Sequence, residues 1–362
     1  MMIPLVDLKA QYLAHKAVID QAIKEVIEDS AFIGGEYLHR FERAFASYCH
    51  SRHCIGTSNG TSSIYCALKA MGLKYGDEVI TAANTFIATT EAISLAGGRI
   101  KLVDVEDKTL NIDVDKLKEA ITPRTRAIIP VHLYGQPSDM DPIYELAEEK
   151  DLFVIEDAAQ AHGASYKGQK IGSRGTVSFS FFPAKILGGF GDGGAIVTDD
   201  EELAHKIRLE VDHGRVSKYE HIKEGFNFRL DSLQANILNA KLPFLDAWVK
   251  RRRELAACYN NSLKGVRLPE EAGFAEHSYY MYVIRCRARE SLIKLLTMKG
   301  ISTGIHYPIP LHKQPAYSYM SSYSYPVSED ASTQILSIPL YPELTESQQT
   351  SIIEAINSFS KR

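Results

Sequence analysis

No apolar run in this 362-residue chain approaches the roughly 20 residues needed to cross a bilayer. The opening, Met1-Met-Ile-Pro-Leu-Val-Asp-Leu-Lys-Ala10, has no basic stretch and no apolar core, so no secretory signal is expected there. Neither sign of charge is in excess: 41 basic against 45 acidic residues leave a net charge of −4. That balance gives no electrostatic grip on nucleic acid or on an anionic membrane. The five cysteines, Cys49, Cys54, Cys66, Cys258 and Cys286, form no CxxC pair and no zinc-ligand spacing. No metal site is expected, and reduced, mostly buried thiols in a cytoplasmic protein are. Internal repeats and low-complexity tracts are missing as well.

What is present is globular material: 45% apolar and 24% charged residues, in a chain long enough for two domains and a large core. Ile19, Ile23, Val26 and Ile27 mark a helix over 12–30, broken at Phe32-Ile-Gly-Gly35. Phe41 and Phe45 place a second helix over 38–49. From there short apolar runs alternate with helical patterns. Strands are predicted over 78–81, 100–105, 127–133, 153–156, 178–182 and 195–198, and helices over 114–120, 140–150 and 201–211. Pro130 fits poorly in its strand because it removes a ladder donor. Such alternation predicts a parallel sheet covered on both faces, with ligands beyond the carboxyl ends of its strands. A long helix over 233–263, kinked at Pro243, leads to a composition change near Gly265. Beyond it come a Tyr-rich strand over 277–286, a helix over 287–299, a strand over 301–307, a polar surface loop over 317–325, a strand over 335–340 and a closing helix over 345–359. The fold class is therefore α/β, with a large domain over 1–245 and a small α+β domain over 246–362.

Chemistry concentrates in Ser178-Phe-Ser-Phe-Phe-Pro-Ala-Lys-Ile-Leu-Gly-Gly-Phe-Gly-Asp-Gly-Gly194. Pro183 ends the aromatic strand. Five glycines in the seven positions 188–194 let the backbone turn tightly and approach a ligand. Lys185 is a single amine with no acidic residue before Asp192. Apolar surroundings lower a lysine's pKa, and a neutral amine forms Schiff bases. The plainer alternative is a solvated lysine in a glycine turn.

Upstream, Cys54-Ile-Gly-Thr-Ser-Asn-Gly-Thr-Ser-Ser63 opens a helix carrying Ile64, Leu68 and Met71. Free N–H groups at Gly60 and Thr61 and the positive dipole end suit an anion. A plain N-cap by Ser58 or Asn59 explains the same residues without one. Phe86 is either core or a lid over a flat ring. Asp157 follows the apolar run Val154-Ile155, so it either caps the next helix or meets a cation. His162, two residues past Gln160, suggests only a loop hydrogen bond. Asn227 and Arg229 are polar residues among aromatics in Gly225-Phe-Asn-Phe-Arg-Leu-Asp231. An amine, a strand-end carboxylate, an anion-binding turn and an aromatic ring are together what a flat phosphorylated pyridine aldehyde requires.

With those residues in view, the chain resembles the DegT/DnrJ/EryC1/StrS sugar aminotransferases over almost its whole length. The resemblance is carried by Pro4-Leu-Val-Asp-Leu8, Gly76-Asp-Glu-Val-Ile80, Val131-His-Leu-Tyr-Gly135, Ile155-Glu-Asp-Ala-Ala-Gln160, Ser180-Phe-Phe-Pro-Ala-Lys185, Gly191-Asp-Gly-Gly194, Asn227-Phe-Arg-Leu-Asp231 and His306-Tyr-Pro-Ile-Pro310. It implies an aspartate-aminotransferase-like (fold type I) large domain with a mixed, mostly parallel sheet, plus a small C-terminal α+β domain. The implied cofactor is pyridoxal 5′-phosphate, cycling through pyridoxamine 5′-phosphate, on a homodimer. By resemblance Lys185 forms the internal aldimine and then moves the proton of the transamination. Asp157 pairs with the pyridine nitrogen, Gln160 lies near the ring O3′ and Phe86 stacks on the ring. The amides of Gly60 and Thr61 and the hydroxyl of Ser180 bind the phosphate, joined by Asn227 from the neighbouring subunit. Arg229, His306 and Tyr307 face the nucleotide sugar. Lysine at 185 separates the chain from relatives that carry histidine there and deoxygenate. Ser62 and Ile186 depart from the family pattern, which usually has an acidic or another small residue at the first and often asparagine at the second.

The family moves an amino group, usually from L-glutamate with 2-oxoglutarate as product, to a keto carbon of a nucleotide-linked hexose. The segment Ile305-His-Tyr-Pro-Ile-Pro-Leu-His-Lys-Gln-Pro-Ala-Tyr317 resembles members acting at C3. A dTDP-linked 3-keto-6-deoxyhexose is the first expectation. A UDP-linked 3-keto sugar follows, including a uronate that Arg229 would bind bidentately. The product would enter an O-antigen, another surface glycan or a glycosylated metabolite. The alternatives are a C4 aminotransferase, a generic amino-acid aminotransferase using Arg285 or Arg287 for the α-carboxylate, and a regulator built on the same scaffold.

Overall fold

The computed structural model describes residues 2–359. Its centre is a seven-stranded sheet of β1 (His53–Thr57), β2 (Glu78–Ala82), β3 (Arg99–Val103), β4 (Thr125–Ile129), β5 (Phe153–Asp157), β8 (Thr176–Ser180) and β9 (Gly194–Thr198). Between β5 and β8 lie β6 (Ser165–Tyr166) and β7 (Gln169–Lys170), which with β10 (Ala275–Glu276) make a small separate sheet. The main order is β1-β9-β8-β5-β4-β2-β3. All neighbours from β8 to β3 run parallel, while β9 is antiparallel to both β8 and β1. The sheet is thus mixed and mostly parallel, in an α/β fold.

Both sheet faces are apolar because alternate residues serve different layers. Val177, Phe179 and Phe181 pack with Phe41, Phe45, Leu238 and Trp248 on one side. Ile129, Ile155 and Ile196 pack with Ile64, Leu68, Ile93 and Ile207 on the other. A third cluster gathers Tyr259, Tyr282, Ile284, Leu292, Leu336 and Ile352, with Ile3 from the other end of the chain. It surrounds the two-stranded sheet of β11 (Tyr282–Arg285) and β12 (Ile335–Ile338). Two reversals of direction, at β9 and again at β1, leave β1, β5 and β8 pointing the same way. Their carboxyl ends therefore open on one edge of the sheet, where Thr57, Asp157 and Ser180 stand.

Several boundaries differ from expectation for local reasons. The first helix is two, Leu8–Ala14 and Lys16–Glu28, parted at His15, whose ring packs on Phe244 and Trp248 at 4.1 and 5.3 Å between centroids. β4 stops at Ile129, immediately before Pro130, and Leu133–Gly135 is a 3-10 turn with Tyr134 at φ 61°. The helix over 233–263 is Ser232–Lys241 and Leu245–Ser262, joined by a 3-10 turn at Leu242–Phe244 that contains Pro243. Only 282–285 of the Tyr-rich segment is strand, because Tyr279 sits at φ 47° and turns the chain. Residues 301–307 make single bridges, Ile3 to Ile301 and Gly304 to Ser337, rather than a strand. The 317–325 loop begins inside a 3-10 turn, Pro315–Met320, that buries Tyr317 and Met320 against Ala83, Leu102 and Leu311. Four of the five cysteines are buried, Cys258 is exposed, and all are free. Among the described residues no helix is long and apolar enough to cross a membrane, and no cluster of His, Cys, Asp and Glu could hold a metal ion.

Candidate active site

At the end of β1 the chain turns into the helix Gly60–Ala70, capped by Asn59. The Asn59 side chain accepts from the Ser62 N–H at 2.8 Å, and Ser62 Oγ accepts from the Asn59 N–H at 3.1 Å. Ser62 is thus the reciprocal partner of a capping box. The cap does not consume the Gly60 and Thr61 amides, which as first-turn donors have no partner inside the helix. Gly60 lies against the end of β8: a Cβ on it would come within 2.9 Å of Ser180 Cβ. The N-cap by Asn59 is present, and it leaves the Gly60 and Thr61 end of the helix beside Ser180.

Asp157 closes β5 and is buried. Its Oδ2 accepts from Thr89 Oγ1 at 2.8 Å and its Oδ1 from the Ala159 N–H at 3.1 Å. Among the described residues no cation forms an ion pair with this carboxylate, so it keeps acceptor capacity for one charged donor. Asp157 acts in turn on Lys185, whose backbone N–H donates to Phe182 O in the turn after Pro183. The Lys185 Nζ lies 4.7 Å from the centre of the buried Tyr280 ring. Burial pulls the amine down to about 8, against the opposing pull of Asp157. Lys185 is only partly accessible, and its surroundings lower its pKa rather than leave it an ordinary surface amine.

Other groups fill in the walls. Gln160 is buried; its Oε1 accepts from the Tyr134 N–H at 2.7 Å, and its Nε2 donates to Tyr307 Oη at 3.1 Å. One Nε2 hydrogen is left for a ligand oxygen. His306 Nδ1 lies 2.8 Å from Ser337 Oγ, its carbonyl accepts from Tyr134 Oη, and the His306–Tyr307 peptide is cis. Burial and then the Lys185 charge lower His306 to about 4, and the same two causes lower His162 to about 3. Both imidazoles are neutral near pH 7. His162 packs its ring on Phe179 and Phe181, at 5.4 and 5.7 Å between centroids. Phe86 is 51% exposed, with its ring 5.3 Å from Tyr307, so it is not core.

Two expected residues stand apart within this chain. Arg229 donates to Asp212 Oδ1 and lines a second cleft with Glu42, Arg208 and Lys218, rather than meeting His306 and Tyr307. Asn227 is exposed, and its backbone bridges to Asp212. Arg285 is not available for a carboxylate ligand: it is buried and paired with Asp107 and, at 2.8 Å, with Asp330. Sequence reasoning missed Thr89 and Tyr280. Neither carries a local signal, since each earns its place by contacting a residue 68 or 95 positions away.

These residues fit pyridoxal phosphate: free amides beside Ser180 for the phosphate, a buried acceptor in Asp157 for a ring N–H, and an amine of lowered pKa for the aldehyde. Comparison with known proteins agrees. The model of the DegT/DnrJ/EryC1/StrS aminotransferase family matches residues 14–357. A Geobacillus stearothermophilus protein named pleiotropic regulatory protein is 44% identical, over 99% of each chain. The dTDP-3-amino-3,4,6-trideoxy-alpha-D-glucose transaminase of Streptomyces venezuelae is 41% identical over 99% of this chain and 97% of its own. The UDP-2-acetamido-2-deoxy-3-oxo-D-glucuronate aminotransferase of Pseudomonas aeruginosa is 43% identical over 95% of this chain and 96% of its own. Among solved structures, S. venezuelae DesV in complex with a ketimine intermediate superposes with a TM-score of 0.98 at 40% identity, covering 100% of this chain and 99% of that one. Bacillus subtilis NtdA with bound cofactor PMP gives 0.93 at 34% identity, covering 100% of this chain and 86% of that one. The chain belongs to the DegT/DnrJ/EryC1/StrS aminotransferase family and is a pyridoxal-phosphate-dependent sugar transaminase.

Proposed function

We propose that the protein transfers an amino group from L-glutamate to C3 of a nucleotide-linked 3-keto hexose, first a dTDP-linked 3-oxo-6-deoxyhexose. The observation that carries this reading is near-full-length identity of 41–43% to transaminases named for 3-amino or 3-oxo sugars, two of them dTDP-linked. The UDP-linked uronate of the Pseudomonas relative is the second reading, favoured by its 43% identity.

The cofactor, when bound, supplies an electron sink conjugated to the carbon that gains or loses the amine. This chain's residues do the rest. Lys185 Nζ would hold the cofactor's aldehyde carbon and is the amine that would carry a proton to and from the reacting carbon, for which a pKa lowered to about 8 suits it. Asp157, fixed by Thr89 and the Ala159 amide, accepts the ring N–H and holds it protonated. Gly60, Thr61 and Ser180 hold the phosphate, Gln160 offers its remaining N–H to the ring oxygen, and Phe86 covers the ring. His306 and Tyr307 line the sugar side, with Tyr307 held by Gln160. Asn227 and Arg229 serve the site of a neighbouring copy in a homodimer. In support, Val216, Tyr219, Ile222 and Phe226, just before Asn227, are 44–83% exposed in the single chain. We place the protein in the cytoplasm, divide it at residues 245 and 246, and assign its product to an amino sugar of a surface glycan or glycosylated metabolite.

The test is amination of matched 3-keto and 4-keto nucleotide sugars, dTDP- and UDP-linked, with glutamate as donor. The proposal expects turnover on the dTDP-linked 3-keto substrate to exceed the others by at least about tenfold in kcat/KM. Preference for a 4-keto sugar would contradict it.

A further inference from the structure

The loop after Lys185 is held from outside by one helix. Ser232–Lys241 starts at its N-cap Asp231, which accepts from the Gln234 N–H at 2.7 Å. Gln234 and Lys241 lie seven residues apart, two turns along one face. Both are buried, and both grip the loop's backbone. Gln234 Oε1 accepts from the Phe190 N–H at 2.7 Å, and Lys241 Nζ donates to the Gly188 carbonyl.

The fit is close. A Cβ at Gly189 would lie 2.7 Å from Gln234 Oε1, and one at Gly191 3.2 Å from its Nε2. On the inner side a Cβ at Gly188 would meet the Pro183 carbonyl at 2.3 Å, and the Gly189 N–H donates to Phe181 O at 2.8 Å. The loop is thus pinned between the strand end on one side and Gln234 and Lys241 on the other. Only Ile186 and Leu187, both fully buried, separate Lys185 from the gripped carbonyl. At 189 and 191 the Gln234 amide lies in or against the space a Cβ would take, so a side chain there would press on the grip.

We propose that Gln234 and Lys241 are positioning residues: by fixing the backbone at Gly188 and Phe190, they fix where the Lys185 amine stands. The inference rests on Lys185 being the amine that binds the cofactor. In that step the Lys185 nitrogen forms a C=N bond to the aldehyde carbon, and the carbonyl oxygen leaves as water. Misplacing the amine by about an ångström slows this step without touching the phosphate cradle, which belongs to β1, β8 and the helix Gly60–Ala70.

The test uses the full-length protein, stripped of cofactor, as wild type and as Gln234→Leu, Gln234→Glu and Lys241→Met. Two quantities are measured at one alkaline pH: the rate of condensation with pyridoxal 5′-phosphate, and the Kd for pyridoxamine 5′-phosphate, which forms no bond to lysine. Gln234→Leu and Lys241→Met should condense on the order of tenfold more slowly, with the pyridoxamine phosphate Kd within about twofold of wild type. Gln234→Glu keeps the acceptor oxygen and should restore most of the rate. Wild-type rates in both Gln234→Leu and Lys241→Met would overturn the proposal, as would equal losses in rate and in pyridoxamine phosphate affinity. Amide exchange on the wild-type protein gives a readout that needs no variant: the Phe190 N–H should be protected, and exchange at the rate of a free peptide would overturn the grip. A wild-type control whose Lys185 stays unmodified would remove the functional assignment itself, and is told apart because it fails before any variant is compared.

Discussion

Lys185 is a liability to the empty fold. Its folded pKa of about 8 lies below the 10.5 of an unfolded lysine, so between those values the unfolded chain binds the extra proton. Stability of the cofactor-free protein therefore rises as pH climbs from about 8 to 10.5, and below pH 8 the cost of the buried charge is present in full. Lys185→Met removes that cost. The variant should melt roughly 2 °C or more above cofactor-free wild type at pH 7, with the gap closing above pH 10.5. Thermal melts at both pH values check it, and a gap that does not change with pH would contradict the sign. The neighbours carry the same logic. His162 and His306 are kept neutral near pH 7 by burial and by the Lys185 charge.

At the scale of elements, the start of the helix Gly60–Ala70 packs against the end of β8, where we propose the phosphate is held. Gly60→Ala would set a Cβ 2.9 Å from Ser180 Cβ, and the two backbones would have to part. Cofactor affinity should fall on the order of tenfold, read by equilibrium dialysis against pyridoxal 5′-phosphate; unchanged affinity would mean the cradle lies elsewhere. Elements of this kind were legible from the chain because their signals are local. The Asn59 cap, the strand–helix alternation from 78 to 198 and the Pro243 break each need only their neighbours; the strand expected to run to Pro183 instead ends at Ser180. What was not legible depends on distant partners. Tyr280 and Thr89 contribute through Lys185 and Asp157, and a left-handed turn at Tyr279 delays the strand to 282 while 278 and 281 bond back to 135 and 134. Arg229 reads as a ligand residue by type, yet inside one chain its guanidinium is taken by Asp212.

At the scale of the whole molecule, Asn227 is exposed, while the backbone beside it meets the end of β1: the Ser58 N–H donates to Phe228 O at 2.6 Å and Arg229 bridges Thr57. Equal mixing of inactive Lys185→Ala with Asn227→Ala should restore a fraction of the sites, up to about a quarter of wild-type turnover if subunits exchange at random. No recovery after demonstrated exchange would place Asn227 in its own chain's site.

The central claim is a covalent one, and two lysines could satisfy it, since burial brings Lys241 as well as Lys185 down to about 8. Borohydride reduction of the pyridoxal-phosphate-loaded protein, followed by peptide mass mapping, separates them. The structure predicts one phosphopyridoxyl group per chain, on the peptide containing Lys185. A group on Lys241, or an unmodified Lys185, would contradict the assignment.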